Sequence, residues 1–367
     1  MPGLFDPLTL RGLTLRNRVM VSPMCQYSSV DGFANDWHFV HLGTRAVGGA
    51  GLVCVEATAV TDEGRISPED MGLWMDDHVE PLARIVQFVH DQGAASAIQL
   101  AHAGRKGSTP APWAPRHGMI PESEGGWRPV APSPVAFSDE YPMPVELSVK
   151  DIGGVVQAFA DAARRAHRAG FQVVEIHAAH GYLLHEFLSP SSNLRRDEYG
   201  GSFENRTRIV REIVTAVRAV WPERLPLFIR ISATDWVEGG WDVEQSVELL
   251  RTLKGLGVDL VDCSSGGNVS GVRIPLGPGY QTEFAAELRQ RAEMPTAAVG
   301  LITAPAQADH IVRTGQADLV VLARELLRDP YWPLRAAREL GVPVSWPAQY
   351  LRAAPPGSPA RGPAVTG

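Results

Sequence analysis

Eight short apolar runs, separated by amphipathic segments, dominate the pattern of hydrophobic and polar positions. They are rich in Val, Ile and Leu and are continuous rather than alternating, as expected for strands of a parallel sheet covered on both faces. They occupy residues 19–22, 51–56, 95–100, 172–176, 227–231, 260–263, 296–299 and 319–322. Eight strands alternating with helices predict an α/β fold, a (β/α)8 TIM barrel that forms a single domain over residues 1–352.

The segments between the runs carry helix signals. Ser148 is a suitable N-cap for a helix whose apolar positions recur every three or four residues and which ends at Gly170. A second helix is predicted over about 203–221, and further helices begin near Asp242, Thr282 and Thr303. A doubly wound sheet is disfavoured, because its usual G-x-G-x-x-G first turn is absent from the sequence.

Two regions depart from this regular alternation. Residues 103–145 are rich in proline and follow the third strand, at the end of a barrel where substrate lids are found. We therefore expect a lid or a pocket wall, with a surface hairpin of no functional role as the alternative. Residues 353–367 consist mostly of Pro, Gly, Ala and Ser, a composition that predicts a disordered tail.

Composition narrows the class of protein. The 367 residues are 44% hydrophobic, enough for a large core, and their net charge of −7 gives no basic surface for nucleic acid. Three cysteines are too few for a disulfide framework, and no run approaches the ~18 apolar residues of a membrane helix. Without a secretory signal at the N-terminus, the expected location is the cytoplasm, with no membrane partner.

The residues that follow the strands carry the candidate chemistry. His177 and His180 come directly after the fourth strand, and their spacing can aim two imidazoles at one anionic oxygen. With Glu175 they could instead bind a metal ion, or they could be structural histidines. Tyr182, two residues further, is a competent proton donor, although a lone tyrosine is more often a packing residue.

Other strand ends point to an anionic ligand. Arg230 lies within an apolar strand, where it must face the barrel mouth or be paired, and it suits an electron-rich ring. Gly300 and Arg324 follow the seventh and eighth strands, where barrels commonly bind a phosphate, although Gly300 could simply form a tight turn. Cys25 lies in a polar turn after the first strand. A nucleophilic Cys25–His177 pair is conceivable, but it leaves the ring and phosphate features without a role.

These motifs together resemble the old yellow enzyme family of FMN-dependent ene-reductases, in particular its thermophilic-like subclass. The resemblance extends over residues 3–352. Its ordered matches are Asn17-Arg18, Ser22-Pro23-Met24-Cys25, Val55-Glu56-Ala57, residues 99–106, residues 177–183, residues 197–202, and Gly300 through Arg324-Glu325-Leu326.

The resemblance implies a set of site residues. FMN would be bound tightly and non-covalently, with Gln99 and Arg230 at its pyrimidine edge. His177 and His180 would bind the substrate carbonyl oxygen, and Tyr182 would donate a proton. Tyr27 would form a wall of the substrate pocket, and Cys25 would modulate the flavin potential. The full set implied for the cofactor is Ser22, Pro23, Met24, Cys25, Ala57, Gln99 and Arg230, with Gly300, Ala323 and Arg324 at the phosphate.

The implied activity is that of an NADPH dehydrogenase or ene-reductase. NADPH or NADH would reduce FMN, hydride would pass from flavin N5 to the β-carbon of an enone or enal, and Tyr182 would protonate the α-carbon. Residues 349–352 resemble a segment that inserts an arginine into a neighbouring subunit, which implies a dimer or tetramer with Arg352 in the partner's substrate site. A flavin- or aromatic-binding barrel without turnover, and a metal-dependent lyase using Glu175, His177 and His180, are the alternatives.

Overall fold

Eight parallel strands close into a barrel in the computed structural model, which describes residues 1–116 and 118–361. Consecutive strands are neighbours, and the last pairs with the first, so the predicted TIM barrel is confirmed. The second strand runs past the predicted end at residue 56, with a shift in register between Val55 and Ala57. The strands are β1 (Val19–Val21), β2 (Leu52–Ala59), β3 (Ala95–Ala101), β4 (Val173–Ala178), β5 (Leu227–Ser232), β6 (Leu260–Ser264), β7 (Thr296–Ala298) and β8 (Leu319–Leu322).

Helices surround the barrel. Ser148 caps its helix as predicted, since its side chain accepts from the backbone of Asp151. The helix predicted over 203–221 is in fact two helices, interrupted at Thr207. The helices are α1 (Asp36–Val47), α2 (Val79–Asp91), α3 (Val149–Arg168), α4 (Leu183–Leu188), α5 (Phe203–Arg206), α6 (Arg208–Val220), α7 (Val243–Gly255), α8 (Thr282–Ala292), α9 (Pro305–Arg313), α10 (Arg324–Arg328) and α11 (Trp332–Glu339). None of the helices in the described ranges is long and apolar enough to cross a membrane.

Apolar side chains fill the N-terminal half of the barrel interior. Met20, Val173 and Phe228 are fully buried there, in one cluster with their neighbours from the other strands. An antiparallel hairpin, Leu8–Leu10 paired with Leu13–Leu15, packs against this cluster and closes the end of the barrel. The polar side chains of the interior therefore lie above it, towards the carboxyl ends of the strands.

Residues 103–145 follow β3, as predicted, and are tied to the barrel. They contain the 3-10 turns Gly104–Lys106 and Glu122–Glu124. The short strand Val130–Ala131 pairs with Val145–Glu146 in parallel, so the segment is not an antiparallel hairpin. The loop after α4 holds it in place: the Leu194 amide donates to Ser133 Oγ at 2.9 Å, and Arg195 donates to the Pro132 carbonyl at 3.0 Å.

The first part of the expected disordered tail packs against the barrel instead. After the 3-10 turn Ala348–Ala353, the backbone of Arg361 donates to the Trp346 carbonyl at 2.7 Å. The Arg361 guanidinium contacts the last carbonyls of α1, a position where the helix dipole favours a cation. This favourable contact is the physical reason for the difference over 353–361, and the prediction for 362–367 falls outside the described residues.

Candidate active site

A layer of buried polar side chains crosses the barrel above the apolar cluster. Gln99 of β3 lies opposite Glu175 of β4, and Arg230 of β5 lies opposite Asp262 of β6. Gln99 Nε2 donates to Glu175 Oε1 at 2.8 Å, and Arg230 Nε lies 3.1 Å from Asp262 Oδ2. Arg230 also donates to Ser22 Oγ, at 3.4 Å. Three predicted cofactor residues, Ser22, Gln99 and Arg230, thus lie together, and Arg230 has the partner that a buried guanidinium requires.

β4 extends to Ala178, two residues past the predicted end, so His177 lies in the strand, and the tight turn that follows brings His180 and Tyr182 against it. The ring of His177 lies 5.2 Å from that of His180 and 5.2 Å from that of Tyr182, centroid to centroid. The turn needs two left-handed residues, His180 with φ +60° and Gly181 with φ +71°. A Cβ at Gly181 would lie 2.3 Å from the Gly267 carbonyl oxygen, so only glycine allows this approach.

Hydrogen bonds hold this turn from three sides. The backbone of His180 donates to Ser232 Oγ at 3.0 Å, and its Nε2 lies 2.7 Å from Ser264 Oγ. The backbone of Gly181 donates to His185 Nδ1 at 3.0 Å. The orientation of the His180 ring and of the following tyrosine is therefore fixed by the barrel and by α4.

The protonation states of the turn follow from its burial. Burial, followed by the charge of Arg230, lowers the pKa of both His177 and His180 well below the ordinary value. Burial, with a smaller contribution from Cys25, raises the pKa of Tyr182 well above its ordinary value. At neutral pH the imidazoles are therefore neutral N–H donors, and the phenol keeps its proton.

A cavity of about 310 Å³ opens beside Tyr182. Tyr27 and Lys106 line it, as does a row of residues from the 103–145 segment: Thr109, Pro110, Ala111, Pro112, Arg116, Gly118, Glu140 and Tyr141. Tyr27 is thus a pocket wall as expected. Lys106 was not singled out from the sequence, although it belongs to a motif that follows β3. Its Nζ donates to the His180 carbonyl at 2.8 Å, and burial lowers its pKa to about 8.

Cys25 lies in the turn that leaves β1 after the predicted cofactor residues Pro23 and Met24. Burial, with smaller contributions from Asp70 and Glu56, raises the pKa of the Cys25 thiol well above its ordinary value. Because the thiolate is the reactive form, this does not favour the alternative of a nucleophilic cysteine.

A second cavity, of about 210 Å³, lies at the ends of β7 and β8. Gly300, Ala323 and Arg324 line it together, as expected for one binding site, and Tyr280 and Gln281 from the start of α8 complete its wall. Gly300 has φ +134°, a conformation open only to glycine. Glu325, the acidic side chain of the lining, is paired with Arg328, so the cavity suits an anionic group.

The metal-site alternative and Arg352 remain to be placed in the structure. Among residues 1–116 and 118–361, no three His, Cys, Asp or Glu side chains are arranged to hold a metal ion, so the geometry does not support the lyase alternative. Arg352 is exposed and lines neither cavity of its own chain.

The cavity at Gly300 and Arg324, the polar layer around Arg230, and the cluster of His177, His180 and Tyr182 lie at the carboxyl ends of the barrel strands. Together they are typical of one class of protein, the flavin-dependent oxidoreductases. The model of the NADH:flavin oxidoreductase / NADH oxidase family matches residues 3–342, and the chain belongs to this family. It is 52% identical over 351 residues to an NADPH dehydrogenase of Geobacillus thermodenitrificans, covering 95% of this chain and 98% of that protein.

Solved structures agree with this assignment. The old yellow enzyme homologue from Zymomonas mobilis has 27% identity and a TM-score of 0.76, with 92% of this chain and 93% of that chain covered. A 2-naphthoyl-CoA reductase has 26% identity and a TM-score of 0.84, with 93% of this chain covered but only 52% of the larger protein. The predicted old yellow enzyme family, oxidoreductase class, FMN and NADPH are therefore confirmed, and the non-catalytic alternative is not supported.

Proposed function

We propose that this enzyme uses NADPH to reduce the C=C bond of α,β-unsaturated carbonyl compounds such as enones and enals. The observation that carries the proposal is the convergence of His177, His180 and Tyr182, of which Tyr182 lines a cavity. Two neutral N–H donors and one protonated phenol are the groups needed to bind a carbonyl oxygen and to protonate the neighbouring carbon.

The residues of the barrel rim fit FMN. Gln99 and Arg230 offer an amide and a guanidinium, and the glycine conformation at Gly300 opens a cradle that Arg324 makes cationic. These residues would hold the pyrimidine edge and the phosphate of FMN. When bound, FMN would supply the redox chemistry, the transfer of hydride from NADPH to the β-carbon of the substrate.

The two histidines stabilise negative charge on the substrate oxygen. Because their pKa values are lowered, they donate hydrogen bonds without transferring a proton. Ser264 Oγ, 2.7 Å from His180 Nε2, can donate to that nitrogen and so place the ring proton on Nδ1. Loss of one such donor should cost about 2.7–4 kcal/mol of barrier, a factor of about 10²–10³ in rate.

Tyr182 is the proposed proton donor to the α-carbon, and its raised pKa keeps the phenol protonated until it is needed. In a Tyr182→Phe variant we expect reoxidation of the cofactor by cyclohexenone to slow about 10²–10⁴-fold. Reduction by NADPH should remain near normal, because that step needs no proton from the phenol. Stopped-flow absorbance separates the two half-reactions.

Tyr27→Phe provides the matched control, since Tyr27 lines the same cavity and has no proposed role in proton transfer. Equal losses in both half-reactions of Tyr182→Phe would reject the proton-donor role. Wild-type holoenzyme that accepts electrons from NADPH but leaves cyclohexenone unreduced would reject the proposed substrate class.

We also propose that the protein forms a dimer or tetramer in which Arg352 enters the neighbouring substrate site. Arg352 is exposed on a 3-10 turn and lines neither of the two cavities described above, which supports a role in another subunit. Mixed oligomers of Arg352→Ala and Tyr182→Phe chains should regain activity, because one site then has both residues. No recovery in mixtures shown to exchange subunits would contradict this arrangement.

The cytoplasmic location stays a prediction.

A further inference from the structure

The catalytic proposal leaves two buried carboxyl groups in the barrel without a role. Glu175 and Asp262 are 0% exposed, and both lie in the polar layer with Gln99 and Arg230. Burying an ionisable group is costly unless it is paired or neutral. The sequence made Glu175 a candidate metal ligand, but in the structure its hydrogen-bond partner is the amide of Gln99.

Glu175 determines which way the Gln99 amide faces. The Nε2 atom of Gln99 donates to Glu175 Oε1 at 2.8 Å. A glutamine amide carries donors on its nitrogen and an acceptor on its oxygen, so a carboxyl oxygen on one side selects the nitrogen. The carbonyl oxygen of Gln99 is then left free to accept a hydrogen bond from a ligand.

Asp262 has the corresponding effect on Arg230. Its Oδ2 lies 3.1 Å from Arg230 Nε. The two atoms form an ion pair without hydrogen-bond geometry, so Asp262 holds the guanidinium on this side of the layer by charge. One terminal nitrogen then contacts Ser22, at 3.4 Å, and donors remain on the terminal nitrogens for a ligand.

The charge of the layer depends on one proton. With both carboxyl groups ionised, Glu175, Asp262 and Arg230 would sum to −1, and with one of them protonated the sum is zero. Burial, followed by the charge of Asp262, raises the pKa of Glu175 to about 8. Burial also raises the pKa of Asp262, but Arg230 opposes this shift. Among the described residues, Glu175 Oε2 and both carboxylate oxygens of Asp262 lack hydrogen-bond partners, so each group has a free oxygen that can carry this proton.

We propose that Glu175 and Asp262 are positioning residues for the cofactor, which fix Gln99 and Arg230 from beneath and form with Arg230 a layer of zero net charge. The proposal rests on the placement of Gln99 and Arg230 at the pyrimidine edge of FMN. It does not depend on the identity of the reducible substrate. Because reduction places electron density on the ring, the charge of this layer sets the relative affinity for reduced and oxidised FMN.

The test compares isosteric variants of the holoenzyme by the midpoint potential and the dissociation constant of oxidised FMN. Asp262→Asn in a Glu175→Gln background leaves the Arg230 charge uncompensated, because Glu175 can then no longer ionise in place of Asp262. A unit charge within ~10 Å, at an effective dielectric constant of ~20, should favour reduced over oxidised FMN about tenfold. For a two-electron couple this is a rise of about 30 mV. Glu175→Gln exchanges one neutral acceptor for another and should shift the ratio less than about twofold.

A third variant tests the orientation of the amide. Glu175→Leu removes the acceptor for Gln99 Nε2, and we expect about tenfold weaker binding of oxidised FMN, which Glu175→Gln should restore. Glu186→Gln is the matched control, because Glu186 is a fully buried carboxyl group on α4, outside the barrel interior. It should leave both quantities unchanged.

The outcomes are separable. A rise in potential in Glu175→Gln equal to that expected for the double variant would show two ionised carboxylates and overturn the neutral layer. Unchanged FMN affinity in Glu175→Leu would overturn the positioning role. The potential of Glu175→Gln and the FMN affinity of Glu175→Leu can both be measured even if the double variant with Asp262→Asn does not fold. Because neither uses an enone, failure of cyclohexenone reduction would reject only the proposed substrate class.

Discussion

The contact between the His180–Gly181 turn and the loop at Gly267 makes Gly181 a stringent site for substitution. In Gly181→Ala the new Cβ would lie 2.3 Å from the Gly267 carbonyl oxygen and 2.7 Å from the Asn268 Cα. Ordinary contact needs about 3.5 Å, so the two loops must separate by roughly 1 Å. The positive φ of +71° adds about 1–2 kcal/mol of strain for a residue with a side chain.

Together with about 1–3 kcal/mol for the overpacked contact, we expect Gly181→Ala to lower the free energy of unfolding by about 2–5 kcal/mol. The same movement displaces His180 and Tyr182, and a misplacement of about 1 Å costs about 10²-fold in rate. Urea unfolding followed by circular dichroism measures the first effect, and stopped-flow reoxidation by cyclohexenone measures the second.

Gly201→Ala is a control that introduces the backbone strain of a positive φ without a close contact at the new Cβ. Gly201 has φ +80°, but nothing lies within 4 Å of the position of its Cβ. This control should lose only the strain energy and keep the wild-type rate. If Gly181→Ala reoxidised at the wild-type rate with no greater loss of stability than Gly201→Ala, the reasoning that the close approach positions the turn would be refuted.

Three further changes test other parts of the structure. Although burial would raise it, contact with His185, 2.9 Å away, lowers the pKa of Asp235 to about 2. This carboxylate should therefore contribute about 2 kcal/mol above pH 4, lost as the pH falls through 2. The difference in unfolding free energy between wild type and Asp235→Asn should shrink by that amount between pH 6 and pH 2, and a constant difference would contradict the assignment. Because burial raises the pKa of Cys25, iodoacetamide at pH 8 should label it at least about tenfold more slowly than a free cysteine, as measured by mass spectrometry; equal rates would show a reactive thiolate. Gly300→Ala places a Cβ 3.2 Å from the Tyr280 ring at a φ of +134°, and about 1–3 kcal/mol of strain should weaken FMN binding about 5–150-fold; unchanged affinity in a fluorescence titration would show that the backbone adapts.

The sequence predicted those parts of the molecule that depend on local pattern. Eight continuous apolar runs specify eight buried strands, and the spacing of His177, His180 and Tyr182 places them at the end of one strand and in the turn that follows it. The partners of Glu175 were not predictable in this way, since they depend on which residues face each other across strands. Asp262 was not predicted, although it carries the same signal as Arg230, a charge within an apolar strand.

Long-range contacts account for the remaining differences. The parallel pairing of Val130–Ala131 with Val145–Glu146, and the docking of Arg361 on α1, join segments that only the finished fold brings together. Composition alone predicted no structure for residues 353–361. The division of the helix at Thr207 likewise lies within an unbroken apolar periodicity.

The segment 103–145 is attached to the barrel at Lys106 and again at Pro132 and Ser133, and other parts of it form a wall of the cavity beside Tyr182. Ser133 and Pro132 accept hydrogen bonds from the loop after α4, and Lys106 is bonded to the turn after β4. Away from these anchors, Trp113 and Met143 are largely exposed and contribute little to the core. The chain thus separates the proposed reaction centre, held by the barrel, from a cavity wall outside the core, and we expect libraries confined to residues 109–120 and 136–143 to alter substrate preference without disturbing the barrel.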